Sequence, residues 1–351
     1  MVDAEAALPL PWIEASLVQA LAADRGHALL LRAAPGAGAL DLALALAQSR
    51  LCESPLPRGI ACGRCIGCRL VQAQAHPDLF VLLPEVDRRE RGWLLADDKP
   101  AGEDKRKPSR QIRIDDVRGL LDWVTMTSAR GHGKVVVLHP AEALNPYAAS
   151  ALLKTVEEPP LGTRLVLTCS DPMHVMPTVR SRCQQFAMPM PDIGVAAAWL
   201  AGQGVAQPET LLAGCDGRPL EVLAWKQRGI DAERWAALPG QLAAGRAGVL
   251  SGASVPQALE MLLKVCHDAM AAAVSAPGRY FAAGQMPAGL SLRALCRWQR
   301  ELQQLARAAE HPWHEGLAID ALVSAAQRAL SSGARASRGS RVEGTSPSGA
   351  A

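Results

Sequence analysis

Apolar and polar positions along this chain fall into blocks whose character changes once. Residues 13–23 carry amphipathic helical spacing, and His27–Arg32 reads as a short buried strand. A tight turn, Ala33-Ala-Pro-Gly-Ala-Gly38, leads into a helical run over Ala39–Cys52. Leu79–Leu83 predicts a second strand and Ile114–Ser128 a helix. Lys134–Leu138 is a continuous β-rich apolar run, the pattern of a strand covered on both faces. Asn145 followed by Pro146 is a helix start, and Ala149, Leu152, Leu153 and Val156 share one face of the helix that follows. Glu158-Pro159-Pro160 ends it, and Leu165–Thr168 predicts another strand. Strands alternating with helices over residues 1–187 imply an α/β domain with a mostly parallel sheet.

Beyond Phe186 the alternation stops. Met188-Pro-Met-Pro-Asp192 reads as a linker, and residues 193–330 give only helical signals. Breaks are expected near Gly214–Pro219, Gly229, Pro239, Gly252–Pro256 and Pro277–Pro287. The pattern predicts a small helical domain over 188–228 and a larger one over 229–330. Two segments lack a core pattern. Residues 84–110 hold Asp87–Arg91 and Lys105–Lys107 and read as a solvated charged loop, while 331–351, with Arg335, Arg338 and Arg341, reads as a disordered tail.

Composition narrows the function classes. With 49% hydrophobic and 20% charged residues the chain has material for real cores. Its 37 basic and 34 acidic side chains leave a net charge of only +3, which argues against a protein that coats polyanions. Aromatics at 4% weaken any reading that needs stacking platforms for single strands. The N-terminus lacks the basic and apolar regions of a signal peptide, and no apolar run is long enough to span a bilayer. Nine cysteines, four of them crowded into 52–68, do not form a disulfide framework. A reduced, cytoplasmic protein is expected.

The turn after the first strand stands where a phosphate-binding loop would stand. Such a loop, Gly-x-x-x-x-Gly-Lys-Ser/Thr, cradles phosphates with backbone N–H groups, reaches them with its Lys and holds Mg²⁺ with its hydroxyl. Here Gly36 and Gly38 remain, but Ala33 replaces the first Gly, Ala39 the Lys and Leu40 the hydroxyl. Taken alone, the glycines are better explained by a plain strand-to-helix turn that needs a positive φ. A second loss is independent: Val135–Leu138 is followed by His139-Pro140 where the metal-positioning carboxylates of related ATPases stand. His139 is expected to be an ordinary loop residue. No ATP turnover is expected.

Cys52, Cys62, Cys65 and Cys68 have the residue type and spacing of a closed tetrahedral zinc site. Gly63 and Gly67 permit tight turns, and Arg64 and Arg69 offset thiolate charge. An iron–sulfur cluster and a redox Cys-x-x-Cys pair are the rival readings.

Three segments carry a family resemblance: Lys134–Asn145, Ala151-Leu-Leu-Lys-Thr-Val-Glu-Glu-Pro-Pro160, and Pro177-Thr-Val-Arg-Ser-Arg-Cys183. With the cysteines placed between the altered turn and His76-Pro77-Asp78, the chain resembles the clamp-loader branch of the AAA+ proteins that serves bacterial DNA polymerase III. The likeness covers about residues 10–225 and is weaker in the C-terminal helices. It implies a RecA-like α/β AAA+ domain, a small helical lid and a helical collar. It implies γ/τ and δ clamp-loader subunits as partners, and, through the complex, a sliding clamp and primer-template DNA. It also implies that the Ser-Arg-Cys arginine, Arg182 here, acts in trans on ATP held by a neighbouring subunit, with Arg180 a competing guanidinium in the same segment. The altered turn sets the chain apart from the ATP-hydrolysing γ/τ subunits and points to a non-hydrolysing member with structural zinc. The alternatives are an active AAA+ ATPase subunit and a zinc-stabilised nucleic-acid-binding module.

Overall fold

A computed structural model describes residues 1–23, 26–95, 108–307 and 314–331. The chain separates into two compact units, Met1–Trp199 and Leu200–Ala351. The boundary falls inside a helix, twelve residues beyond the break in the sequence pattern at 187/188. The Lys105–Lys107 run and the tail from residue 332 onward lie outside the described residues.

The first unit is a parallel sheet with helices between its strands. In chain order it runs α1 (Ile13–Ala23), β1 (Ala28–Arg32), α2 (Ala39–Arg50), α3 (Ile66–Gln72), β2 (Leu79–Leu82), α4 (Glu85–Arg91), α5 (Ile114–Thr125), β3 (Lys134–Leu138), α6 (Pro146–Glu157), β4 (Thr163–Cys169), α7 (Pro177–Arg180) and β5 (Gln184–Ala187). The strand order is β2-β3-β4-β1-β5, every pair parallel. Register runs Leu30 to Leu167, Leu167 to Leu138, and Leu138 to Leu82. Strands covered on both faces need apolar residues throughout, and all five residues of β3 are buried. One face of the core is Leu30, Leu82, Val136, Leu138, Leu165 and Leu167 against Leu120, Leu152 and Val156. Asn145 caps α6, its side chain accepting the Ala148 N–H at 2.8 Å.

The charged segment starting at residue 84 departs from the expected solvated loop. Glu85–Arg91 is helical, and Glu85 and Arg88 are buried. Arg88 donates to the Leu83 carbonyl at 2.7 Å and pairs with Asp116 at 3.1 Å. Glu85 pairs with Arg89 at 2.7 Å and Arg113 at 2.8 Å, and accepts the Ser109 N–H at 3.0 Å. Mutual pairing makes burial of these charges tolerable, and it ties the start of the excursion to its return.

The helix α8 (Ile193–Gly202) crosses the boundary. The second unit holds α9 (Pro208–Gly214), α10 (Pro219–Gln227), α11 (Ala232–Ala243), α12 (Val255–Ala273), α13 (Leu292–Arg307) and α14 (Glu315–Leu330). Pro239 does not break a helix as expected: it lies inside α11. An interior proline costs about 3 kcal/mol, and burial of Trp235, Leu238 and Leu242 around it offsets that cost. Asp268, fully buried, accepts the backbone N–H groups of Arg279, Tyr280 and Phe281 at 2.7–2.9 Å and so anchors the loop between α12 and α13. Among the described residues, no helix is long and apolar enough to cross a membrane.

Candidate functional site

The Ala33–Gly38 turn joins the C-terminal end of β1 to α2 at the position a phosphate loop takes. Gly36 (φ 73°) and Gly38 (φ 101°) supply its left-handed backbone. The chain's own N-terminal segment lies against it. Trp12 Nε1 donates to the Ala37 carbonyl at 2.7 Å, and Leu10 fills the space that a Cβ on Gly38 would need. Ala39 and Leu40 open α2 with no group able to reach a phosphate or a metal. At the end of β3, His139 Nδ1 lies 2.6 Å from the Thr168 hydroxyl on β4. Burial, helped by the positive charge of Arg91, pushes the His139 pKa down to about 4, so the ring is neutral at pH 7. Nearby Glu142 is already engaged: its Oε1 accepts the N–H groups of Ser170 (2.5 Å) and Asp171 (2.9 Å) and the Ser170 hydroxyl (2.8 Å).

The Ser-Arg-Cys segment follows α7, which begins at Pro177. Its two arginines differ in setting. Arg180 turns back on its own chain, donating to the Pro172 carbonyl at 2.8 Å. Arg182 is exposed. Its Nε pairs with Glu157 at the end of α6, and Nη1 donates to the Thr178 carbonyl at 2.9 Å and the Ser181 hydroxyl at 3.2 Å. The Arg182 and Glu157 side chains are 37% and 43% exposed, so the pair contributes at most about 1 kcal/mol to stability. Cys183, by contrast, is buried, and burial pushes its thiol up to about 11.

The four clustered cysteines come together. Their sulfurs all lie within 4.8 Å of one another, and Cys52 Sγ and Cys65 Sγ are 3.8 Å apart. Tetrahedral zinc with Zn–S bonds of about 2.3 Å would set sulfurs roughly 3.8 Å apart. Backbone N–H groups are aimed at the sulfurs: Cys62 N to Cys52, Cys65 N to Cys62 and Cys68 N to Cys65, each 3.3 Å. Burial opposes ionisation of Cys62, yet amide hydrogen bonds from Arg64 and Cys65 outweigh it and bring the thiol to about 6. Burial raises Cys52 and Cys68 instead. Four thiolates this close need a cation to balance them, which the donor set fits. The backbone is built around the cluster. A Cβ on Gly63 would overlap the Asp3 carbonyl, and one on Gly67 would sit 2.6 Å from the Leu51 carbonyl oxygen.

The roles of three residues are not evident from the sequence: Thr168, Glu157 and Asp78. Buried Asp78 accepts the Ser128 hydroxyl (3.0 Å) and the N–H groups of Ala129 (2.7 Å) and Arg130 (2.9 Å), and Arg130 pairs with Glu53 beside Cys52. Asp78 thereby connects the entry to β3 with the cysteine knuckle. Its signal is the His-Pro-Asp triplet just before β2, and that of Glu157 its place before Pro159-Pro160.

Five parallel strands in this order, with a strand-to-helix turn at the end of β1, define an α/β domain, and a helical unit follows it in the chain. The family model described as DNA polymerase III, delta subunit, matches residues 12–192. The DNA polymerase III subunit delta′ of Pseudomonas aeruginosa is 38% identical over 60% of this chain and 59% of its own length. That of Yersinia pestis is 33% identical over 74% of this chain and 71% of its own. The DNA polymerase III subunit tau of Escherichia coli is 30% identical over 48% of this chain and 22% of its own. The chain belongs to the delta′ family of DNA polymerase III.

Proposed function

We propose that the chain is a non-hydrolysing clamp-loader subunit, assembling with γ/τ and δ to help place a sliding clamp on primed DNA. In this reading it contributes no active site of its own. It lends Arg182 in trans to ATP bound by a neighbouring γ/τ subunit. Residues 188–228 serve as the lid and 229–330 as the collar through which subunits join. Zinc held by Cys52, Cys62, Cys65 and Cys68 is structural, because four protein ligands leave no open position for chemistry.

The observation that carries the reading is the contrast between two segments at opposite ends of the parallel sheet, the turn that follows β1 and the segment that leads into β5. The turn at Gly36–Gly38 has neither a phosphate lysine nor a metal-binding hydroxyl, whereas Arg182 keeps an exposed guanidinium. Guanidinium suits the role because it is always charged and presents a planar fork of donors to phosphate oxygens. Mixing the chain with γ/τ and δ from the same organism and following size-exclusion elution tests assembly. The reading expects one stable complex containing all three. Separate elution would contradict it.

A further inference from the structure

Arg182 is held in a way that leaves part of its guanidinium unclaimed. Nε–H is taken by Glu157, and Nη1 by the Thr178 carbonyl and the Ser181 hydroxyl. Among the described residues, Nη2 makes no hydrogen bond. Anchors on two of the three nitrogens of a planar, rigid group fix the direction of the third, Nη2. Two of those anchors, Thr178 and Ser181, belong to the arginine's own turn. Only Glu157 comes from a separate element.

Glu157 is also poorly explained by the helix it ends. It is the last residue of α6, where Glu158 and the prolines stop the helix. A carboxylate at a helix C-terminus faces the negative end of the macrodipole and is disfavoured there. Nor does an exposed ion pair add much to stability. A side chain that costs its own helix something and stabilises the fold little, while gripping an exposed arginine from 25 residues away, fits an orienting role.

We propose that Glu157 is a positioning residue for Arg182. Its carboxylate accepts the Nε–H and so presents the Nη2 edge, with its two free N–H bonds, to an anionic phosphate on the neighbouring subunit. This rests on the trans role of Arg182 proposed above. Glu157 touches no substrate itself. It narrows the orientations the guanidinium samples, so that less order has to be imposed when the phosphate arrives.

The test uses the reconstituted complex with γ/τ and δ, and reads kcat and KM for ATP separately under stimulation by clamp and primed DNA. Glu157→Ala should lower kcat by about threefold or more with KM for ATP little changed, because the lost contact matters where charge develops on the transferring phosphoryl group. Glu157→Gln keeps an acceptor oxygen for Nε–H and should recover most of the rate, a rescue that a general need for negative charge would not give. Glu157→Ala combined with Arg182→Ala should be no slower than Arg182→Ala alone. A Glu157→Ala complex as fast as wild type or faster, beside a slow Arg182→Ala complex, overturns the positioning role and leaves the trans role standing. So does a double variant slowed by the product of the two effects. If Arg182→Ala itself runs at the wild-type rate, the trans role has failed, and the positioning role falls with it.

Discussion

His139 Nδ1 and the Thr168 hydroxyl lie 2.6 Å apart, linking the C-terminal ends of β3 and β4. The consequence is a pH dependence. Burial holds folded His139 at about 4, below its ordinary 6.5. Between those values the unfolded chain binds a proton that the folded chain refuses, so stability falls as pH falls through that window and is unaffected above it. Well inside the window this one group costs about 1.4 kcal/mol for each further drop of one in pH. Urea denaturation at pH 7, 6 and 5 should show a shallower loss for His139→Gln than for wild type. His76, also shifted down by burial, is present in both chains and cancels. Equal slopes would contradict the assignment.

Removing metal should act locally. The purified chain should carry one zinc, and Cys65→Ser should lose it, with faster amide exchange over residues 52–76 and unchanged exchange in α11 and α12. Lowering the pH should release the metal, because the ligands must be deprotonated to bind. Metal analysis that finds no zinc, or iron with a visible absorption band, would contradict this.

Asp78→Ala should destabilise the first unit by about 1–3 kcal/mol, since it removes the buried acceptor that two half-buried N–H groups and a hydroxyl share. Asp78→Asn keeps one acceptor oxygen and should cost less. A urea midpoint for the alanine variant equal to that of wild type would show that the loop at 128–130 does not depend on this carboxylate.

The isolated chain should not turn over ATP. Restoring the loop residues with Ala39→Lys and Leu40→Thr should not rescue hydrolysis, because His139-Pro140 still offers no metal-binding carboxylates. Steady turnover near about 1 s⁻¹ in either protein, within the ordinary enzyme range, would refute this.

How much of this is legible in the sequence varies with what holds each element. α1, β1, β3 and α6 can be read nearly to the residue, because buried apolar runs and an Asn-Pro start act through local chemistry. β5 cannot: Gln184-Gln185-Phe186-Ala187 is an edge strand, mostly exposed, with no apolar alternation to reveal it. α3 escapes the pattern because its start is set by Cys65, whose sulfur accepts the Cys68 N–H, and not by apolar periodicity. α4 reads as loop because charge runs are usually solvated, and only its partners Asp116 and Arg113 show how Glu85 and Arg88 can be buried. The clustering of the four cysteines is legible from spacing alone. The grip of Glu157 on Arg182 is not, since it depends on how α6 and the turn after α7 meet.

The central claim is that an exposed arginine of a non-hydrolysing subunit serves its neighbour's ATP. Arg182→Ala, reconstituted with γ/τ and δ, tests it most directly, with Arg180→Ala as control. Supplied in trans, such a group raises hydrolysis by about 10³–10⁵ in related phosphoryl-transfer systems, and one arginine among several ATP sites should matter less. The account predicts normal assembly, a marked fall in clamp- and DNA-stimulated ATP hydrolysis for Arg182→Ala, and a smaller effect for Arg180→Ala. A complex that assembles normally and hydrolyses ATP at the wild-type rate without Arg182 would contradict it, leaving Arg182 as no more than the partner of Glu157.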